Sequence, residues 1–115
     1  MPNANDVYRT LKEAGIETHW PKQAVSPLKT KTCIVSHADE VIGFHTDIVA
    51  DDYIEIEVCV PFSYYGDMDD FLEQVKDALR PVKGLRYNGA SRAWSDDDMR
   101  ASIRTIEYLV MKRTR

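Results

Sequence analysis

The chain has 115 residues, 43% of them hydrophobic and 30% charged, with a formal net charge of −4 and a pI near 5.3. That length supports one core, hence a single domain over 1–115. The longest apolar run, Val58–Phe62, is too short for a membrane span or the central segment of a signal peptide, so the chain is expected to stay where it is made. So low a pI also argues against a free-standing nucleic-acid binder, which needs a dominant basic field.

From the N-terminus, Asn5 or Asp6 is placed to cap a first helix whose buried stripe is Val7, Leu11 and Ala14, with Gly15 as its left-handed stop. Ile16–Trp20 reads as extended. Trp20-Pro21 then opens a loop through Ser26-Pro27 to Lys31 that carries Lys22, Lys29 and Lys31 and no acid. Thr32–His37 and Val41–Ile48 are strand candidates, and Tyr53–Val60 alternates Ile54, Ile56, Val58 and Val60 with Tyr53, Glu55, Glu57 and Cys59, the pattern of a strand with one buried face. The short connections predict an antiparallel meander.

Beyond a turn at Pro61–Gly66, Met68, Phe71, Leu72, Val75, Ala78 and Leu79 form an apolar stripe of helical period. Asp67 is the expected cap, Asp69 and Asp70 suit the positive end of the helix dipole, Lys76 and Arg80 suit the negative end, and Pro81 ends the helix. Leu85–Ala93 reads as a strand interrupted at Asn88-Gly89, a pair equally suited to a hairpin turn. Trp94–Asp98 reads as an acidic tip. Ala101–Lys112 is the longest strand, apolar on both faces toward its end, which predicts a central position or a subunit contact. The predicted fold is α+β: a mainly antiparallel sheet of about five strands, two helices packed on one face, in the order α-β-β-β-α-β-β. Glu55, Glu57 and Arg104 are expected on the opposite face.

Charge is distributed unevenly along the chain. Residues 1–46 balance five acids with five bases, 47–79 hold ten acids against Lys76, and 80–115 hold nine bases against four acids. Blocks of opposite sign give copies of one chain a means of adhering head to tail, while the simpler reading is a solvated charged surface.

Catalytic and metal motifs are weak. His19, His37 and His45 form no helical pair, and Cys33 and Cys59, expected as free thiols, lack a Cys-x-x-Cys spacing. Cys33 and His37 sit at an even offset on one strand, which makes them a conceivable metal or nucleophile pair without a third orienting group. Asp96-Asp97-Asp98 lacks the glycine and distal glutamate of a calcium loop, and Asp67, Asp69 and Asp70 are explained as a helix start. No phosphate-binding or nucleophile-elbow motif occurs. No cofactor is expected.

In its element order the chain resembles the tail completion or tail terminator proteins of long-tailed bacteriophages, which include head–tail joining proteins. The resemblance is carried by the early helix Asn5–Ala14, Trp20-Pro21 with its proline-bearing loop, the strand at Cys33–Val35, Tyr53–Val60 leading into Met68–Leu79, and the closing pattern Asp96–Val110. It covers nearly the whole length and involves no catalytic motif. It implies a non-enzymatic virion protein of the tail or neck, made in the host cytoplasm and forming a homo-oligomeric ring, typically a hexamer, between tail tube protein and head connector. Such a ring lets DNA pass without sequence-specific binding. On this reading acids among Asp47–Asp77, including Asp51 and Asp52, meet bases among Arg80–Arg104, including Arg100 and Arg104, across subunits. Lys22, Lys29 and Lys31, with the tip Trp94, Asp96, Asp97 and Asp98, would contact tube or connector, Trp94 as an apolar anchor. The alternative is a small cellular ligand-binding or regulatory module with its ligand near Trp20, His37 and His45.

Overall fold

The computed structural model describes residues 3–23, 26–38 and 50–111, the side chains of 37–38, 50–52, 65 and 111 excepted. The elements are α1 (Ala4–Glu13), β1 (Glu17–His19), β2 (Thr32–Ala38), β3 (Ala50–Pro61), a 3-10 helix (Phe62–Asp67), α2 (Met68–Leu79), β4 (Leu85–Ala90), β5 (Trp94–Asp96) and β6 (Ala101–Met111). The fold is α+β, as the alternating and helical periods predict. Its sheet is mixed and has six strands, in the order β1-β2-β3-β6-β4, with β5 also pairing with β6.

Asn3, not Asn5 or Asp6, caps α1. Its side chain accepts from the Asp6 N–H at 3.0 Å, and the Asp6 carboxylate accepts from the Asn3 N–H at 2.9 Å, so two free donors are satisfied reciprocally. Val7 and Leu11 are fully buried, Ala14 is exposed, and Gly15 turns the chain at φ 82°. Asp67 makes no capping hydrogen bond. The 3-10 turn runs directly into α2, and the Asp67 carboxylate pairs instead with the Lys31 ammonium at 3.0 Å.

The expected meander is not formed. β2 and β3 pair directly, from Thr32 opposite Cys59 to Ala38 opposite Tyr53, and the other edge of β3 is taken by β6. No strand lies between β2 and β3, and Val41–Ile48 falls outside the described residues. The extended Ile16–Trp20 stretch supplies β1, which runs parallel to β2 from Glu17 opposite Thr32 to His19 opposite Ile34. Residues 20–31 make that connection long enough for a parallel return. Asn88-Gly89 is neither a hairpin nor a strand end. It forms a bulge in which the β4–β6 register shifts, with Gly89 at φ 132°, which only glycine adopts readily. The acidic tip is shorter than expected, because Trp94–Asp96 pairs with β6 as β5.

Both helices pack on one sheet face. Val7 and Leu11 of α1 and Phe71, Leu72, Val75 and Leu79 of α2 cover Cys33, Val35, Ile54, Ile56, Val58, Val60, Ile106, Tyr108 and Val110. Each large aliphatic or aromatic side chain so buried contributes about 1.5–3 kcal/mol. On the opposite face a smaller cluster gathers Leu28, Ile34, Cys59, Ala101 and Ile103 against Met99. The lysine-bearing loop is held there by the Leu28 N–H, which donates to the Met99 carbonyl at 2.9 Å. β6 is central, as its two apolar faces predict, with β3 on one side and β4 and β5 on the other.

Candidate assembly surface

Strand directions decide which loops meet. β2 begins, β3 ends and β6 begins at one end of the sheet, so Lys31, the turn Phe62–Asp67 and the turn 97–100 form a common rim. The Phe62 N–H donates to the Arg100 carbonyl at 2.9 Å, which ties two of these segments together. The Lys31 ammonium lies 5.6 Å from the Tyr64 ring centroid as well as beside Asp67, fixing the third. Phe62 and Tyr64 are large apolar side chains left 37% and 45% exposed on this rim, next to Asp97, Asp98 and Arg100, all exposed.

The other predicted contact residues divide among several places. Lys29 is exposed beside the anchored Leu28. Lys22, at φ 70°, lines a cleft on the helix-free face with Pro21, Ser26, Ile34, Ser36, Glu55, Glu57 and Met99. Trp94 is 45% exposed on β5, opposite Ile103. Asp96 is half-buried and accepts from the Met99 N–H at 3.1 Å, so it shapes the turn. Asp51 and Asp52 stand at the far end of β3, away from the rim, and their side chains lie outside the described part.

Arg104 is not on the helix-free face. It lies opposite Val58, whose side chain points to the helices, and its guanidinium sits 3.7 Å from Asp69 of α2. Its Nε donates to the Ser91 carbonyl at 3.0 Å, so it staples α2 and the residues between β4 and β5 to β6 within one chain. Asp77 likewise pairs with Arg80 at 2.8 Å and Glu73 with Lys76 at 3.3 Å. The acidic and basic blocks of the sequence are thus partly interleaved on the helix side.

The helix-free face holds what sequence reasoning missed. Glu55, Glu57 and Glu107 share it through the pairing of Glu55 with Glu107 and of Glu57 with Thr105. Glu107 is fully buried and accepts from Asn88 Nδ2 at 2.7 Å. Burial raises the pKa of Glu55, helped by the charges of Glu57 and Glu107, and burial raises that of Glu57, helped by Asp96. Alternation had marked Glu55 and Glu57 as solvent-facing, and nothing local to the sequence shows that Glu107 would join them.

Cys33 and Cys59 are free and buried on opposite faces, Cys33 opposite Val58 and Cys59 opposite Thr32. Burial pushes both thiols well above the ordinary range, the condition of unreactive cysteines. His19 Nε2 is 2.8 Å from Glu17. The His37 side chain and His45 lie outside the described part. Among the described residues no three histidine, cysteine, aspartate or glutamate side chains converge as a metal-ligand set, and no helix is long and apolar enough to cross a membrane. No protein-family profile matches the chain, and no curated protein matches it in sequence.

Proposed function

We propose that this chain is a non-enzymatic structural subunit of a long-tailed phage virion, forming a ring, a hexamer by resemblance, that terminates the tail tube and joins it to the head connector. The observation that carries this reading is the rim. Phe62, Tyr64, Lys31, Asp97, Asp98 and Arg100 come from three segments yet stand together at one end of the sheet. Exposed aromatics among charges are the composition of a protein contact surface. In a ring whose axis follows the strands, every subunit turns this rim toward the same neighbour, tube or connector, and the lumen leaves DNA free to pass. The element order, shared in outline with tail terminators, supports the same reading.

The test is the mass of the purified protein across concentration and salt, with electron microscopy of the oligomer. Rings are the expected result. A chain monomeric under every condition, whose gene lies apart from those for head connectors and the tail tube, overturns the reading. A ligand-binding module is the second reading, favoured by Trp20, which stacks on Tyr8 at 4.5 Å and lines an open cleft with Asn3, Asn5, Val35 and Ser36. Ligand-induced thermal stabilisation would support it.

A further inference from the structure

Among the described residues the sheet has two unlike open edges. One is β4. The other is formed by β1 and, beyond Ile34, by β2 itself, because β1 pairs only with Thr32, Cys33 and Ile34. Following the ladders across the sheet, Val35 is opposite Ile56, Ile56 opposite Ile106, and Ile106 opposite Ala90. Ala38 leads in the same way through Tyr53 and Leu109 to Arg86. The open stretch of β2 is therefore level with Arg86–Ala90 of β4. Three antiparallel ladders separate the two strands, so they run in opposite directions.

These relations have a geometric result. Rotation about an axis along the strands preserves strand direction, and in a closed ring it has no rise. Applied to this chain, it sets β4 of one copy antiparallel to β2 of the next, at the same level, with both sets of helices on one side. We infer that copies of this chain join head to tail by strand addition, the Arg86–Ala90 edge of one copy pairing with the Val35–Ala38 edge of the next. The inference deepens the ring reading above and rests on it for closure of the ring.

Three further features fit the junction. β1 fills the edge of β2 up to Ile34, and the edge strand breaks between β4 and β5 at that level, since the Ser91 N–H donates to the Thr105 carbonyl and Thr105 leads through Glu57 to Ile34. The neighbour's chain thus leaves its strand where β1 already stands. Tyr87, exposed at the β4 edge with Lys76 4.3 Å above its ring, is on the helix side, level with His37. Beside the open edge of β2, also on the helix side, is a cleft of about 570 Å³ bounded by Asn3, Ala4, Trp20 and Val35, which has room for that ring. On the other face Arg86 is exposed and is level with Tyr53 of the next copy, so Glu55 of that copy lies two strands across and two residues along, about 12 Å away, a span the two side chains cover between them. Glu55 has no ion pair within the described part of its own chain, so the junction supplies the cation it lacks.

The test is a double variant, Arg86→Cys with Ala38→Cys. Within one chain these positions are three strands apart, about 14 Å, and no disulfide spans that distance. Across the junction they face each other at about 5 Å. Mild oxidation of the folded protein with oxidised glutathione is expected to give a ladder of covalently linked chains, which neither single variant gives. In parallel, Arg86→Glu is expected to weaken association at least about tenfold, a loss of about 1.4 kcal/mol, and Glu55→Lys added to it to restore most of the loss. An oligomer that forms without the ladder overturns strand addition and leaves the ring standing. A ladder that stops at two chains keeps the contact and overturns the ring. A monomer without a ladder at any concentration overturns both.

Discussion

Asn88 shows how much one side chain holds. It sits at the bulge, where the extra residue turns its amide toward Glu107, a fully buried carboxylate. Removing a donor from a buried acceptor costs about 1–3 kcal/mol, so Asn88→Ala is expected to lower stability by that amount in denaturant titration. Glu57 behaves in the opposite way. Its pKa is raised above the ordinary value of 4.5, so the folded state binds its proton more tightly than the unfolded chain does. Its contribution to stability is full below pH 4.5 and is lost as pH rises through the raised value. Glu57→Gln is therefore expected to raise the melting temperature at pH 7 by a few degrees and to change it little at pH 4. Equal gains at both pH values would mean that ionisation is not the cause.

At the scale of elements, the ends of α1 and the order of the strands carry the fold. Asn3→Ala removes one half of a reciprocal cap and is expected to cost about 1 kcal/mol. Gly15→Ala meets no neighbouring atom but must hold φ 82°, so a cost of about 1–2 kcal/mol is expected from backbone strain alone. Most elements were legible because their signals are local. The two-residue alternation of Ile54–Val60, the helical stripe Met68–Leu79 and the stop at Gly15 each depend on a few neighbouring residues. What was not legible depends on partners distant in sequence. Asp67 looked like a cap and is held by Lys31, the parallel partner of β1 arrives after a long loop, and Asn88-Gly89 carries the same turn signal whether it makes a hairpin or a bulge. Arg104 was misplaced although the alternation itself sets it with Ile106, Tyr108 and Val110. Its charge suggested solvent, and the Ser91 carbonyl, with Asp69 of α2 nearby, gives its guanidinium partners on the helix side.

On the scale of the whole molecule, the rim assembles residues that the sequence keeps far apart. Lys31, Asp97, Asp98 and Arg100 were visible as charges, whereas Phe62 and Tyr64 fell within a turn, Pro61–Gly66, whose sequence alone does not show that the 3-10 helix leaves both rings exposed beside them. The double variant Phe62→Ser and Tyr64→Ser is expected to leave stability within about 0.5 kcal/mol and the ring intact, while abolishing attachment to purified tail tubes in a sedimentation assay. β6 is central in space and, among the described strands, last in sequence. While the ribosome is still making residues 101–111, β3 lacks its longest neighbour, and β4 and β5 lack the only strand they pair with among the described residues. The nascent chain must therefore wait, its greasy strands in need of shelter, and then close the sheet in a single late event when residues 101–111 emerge.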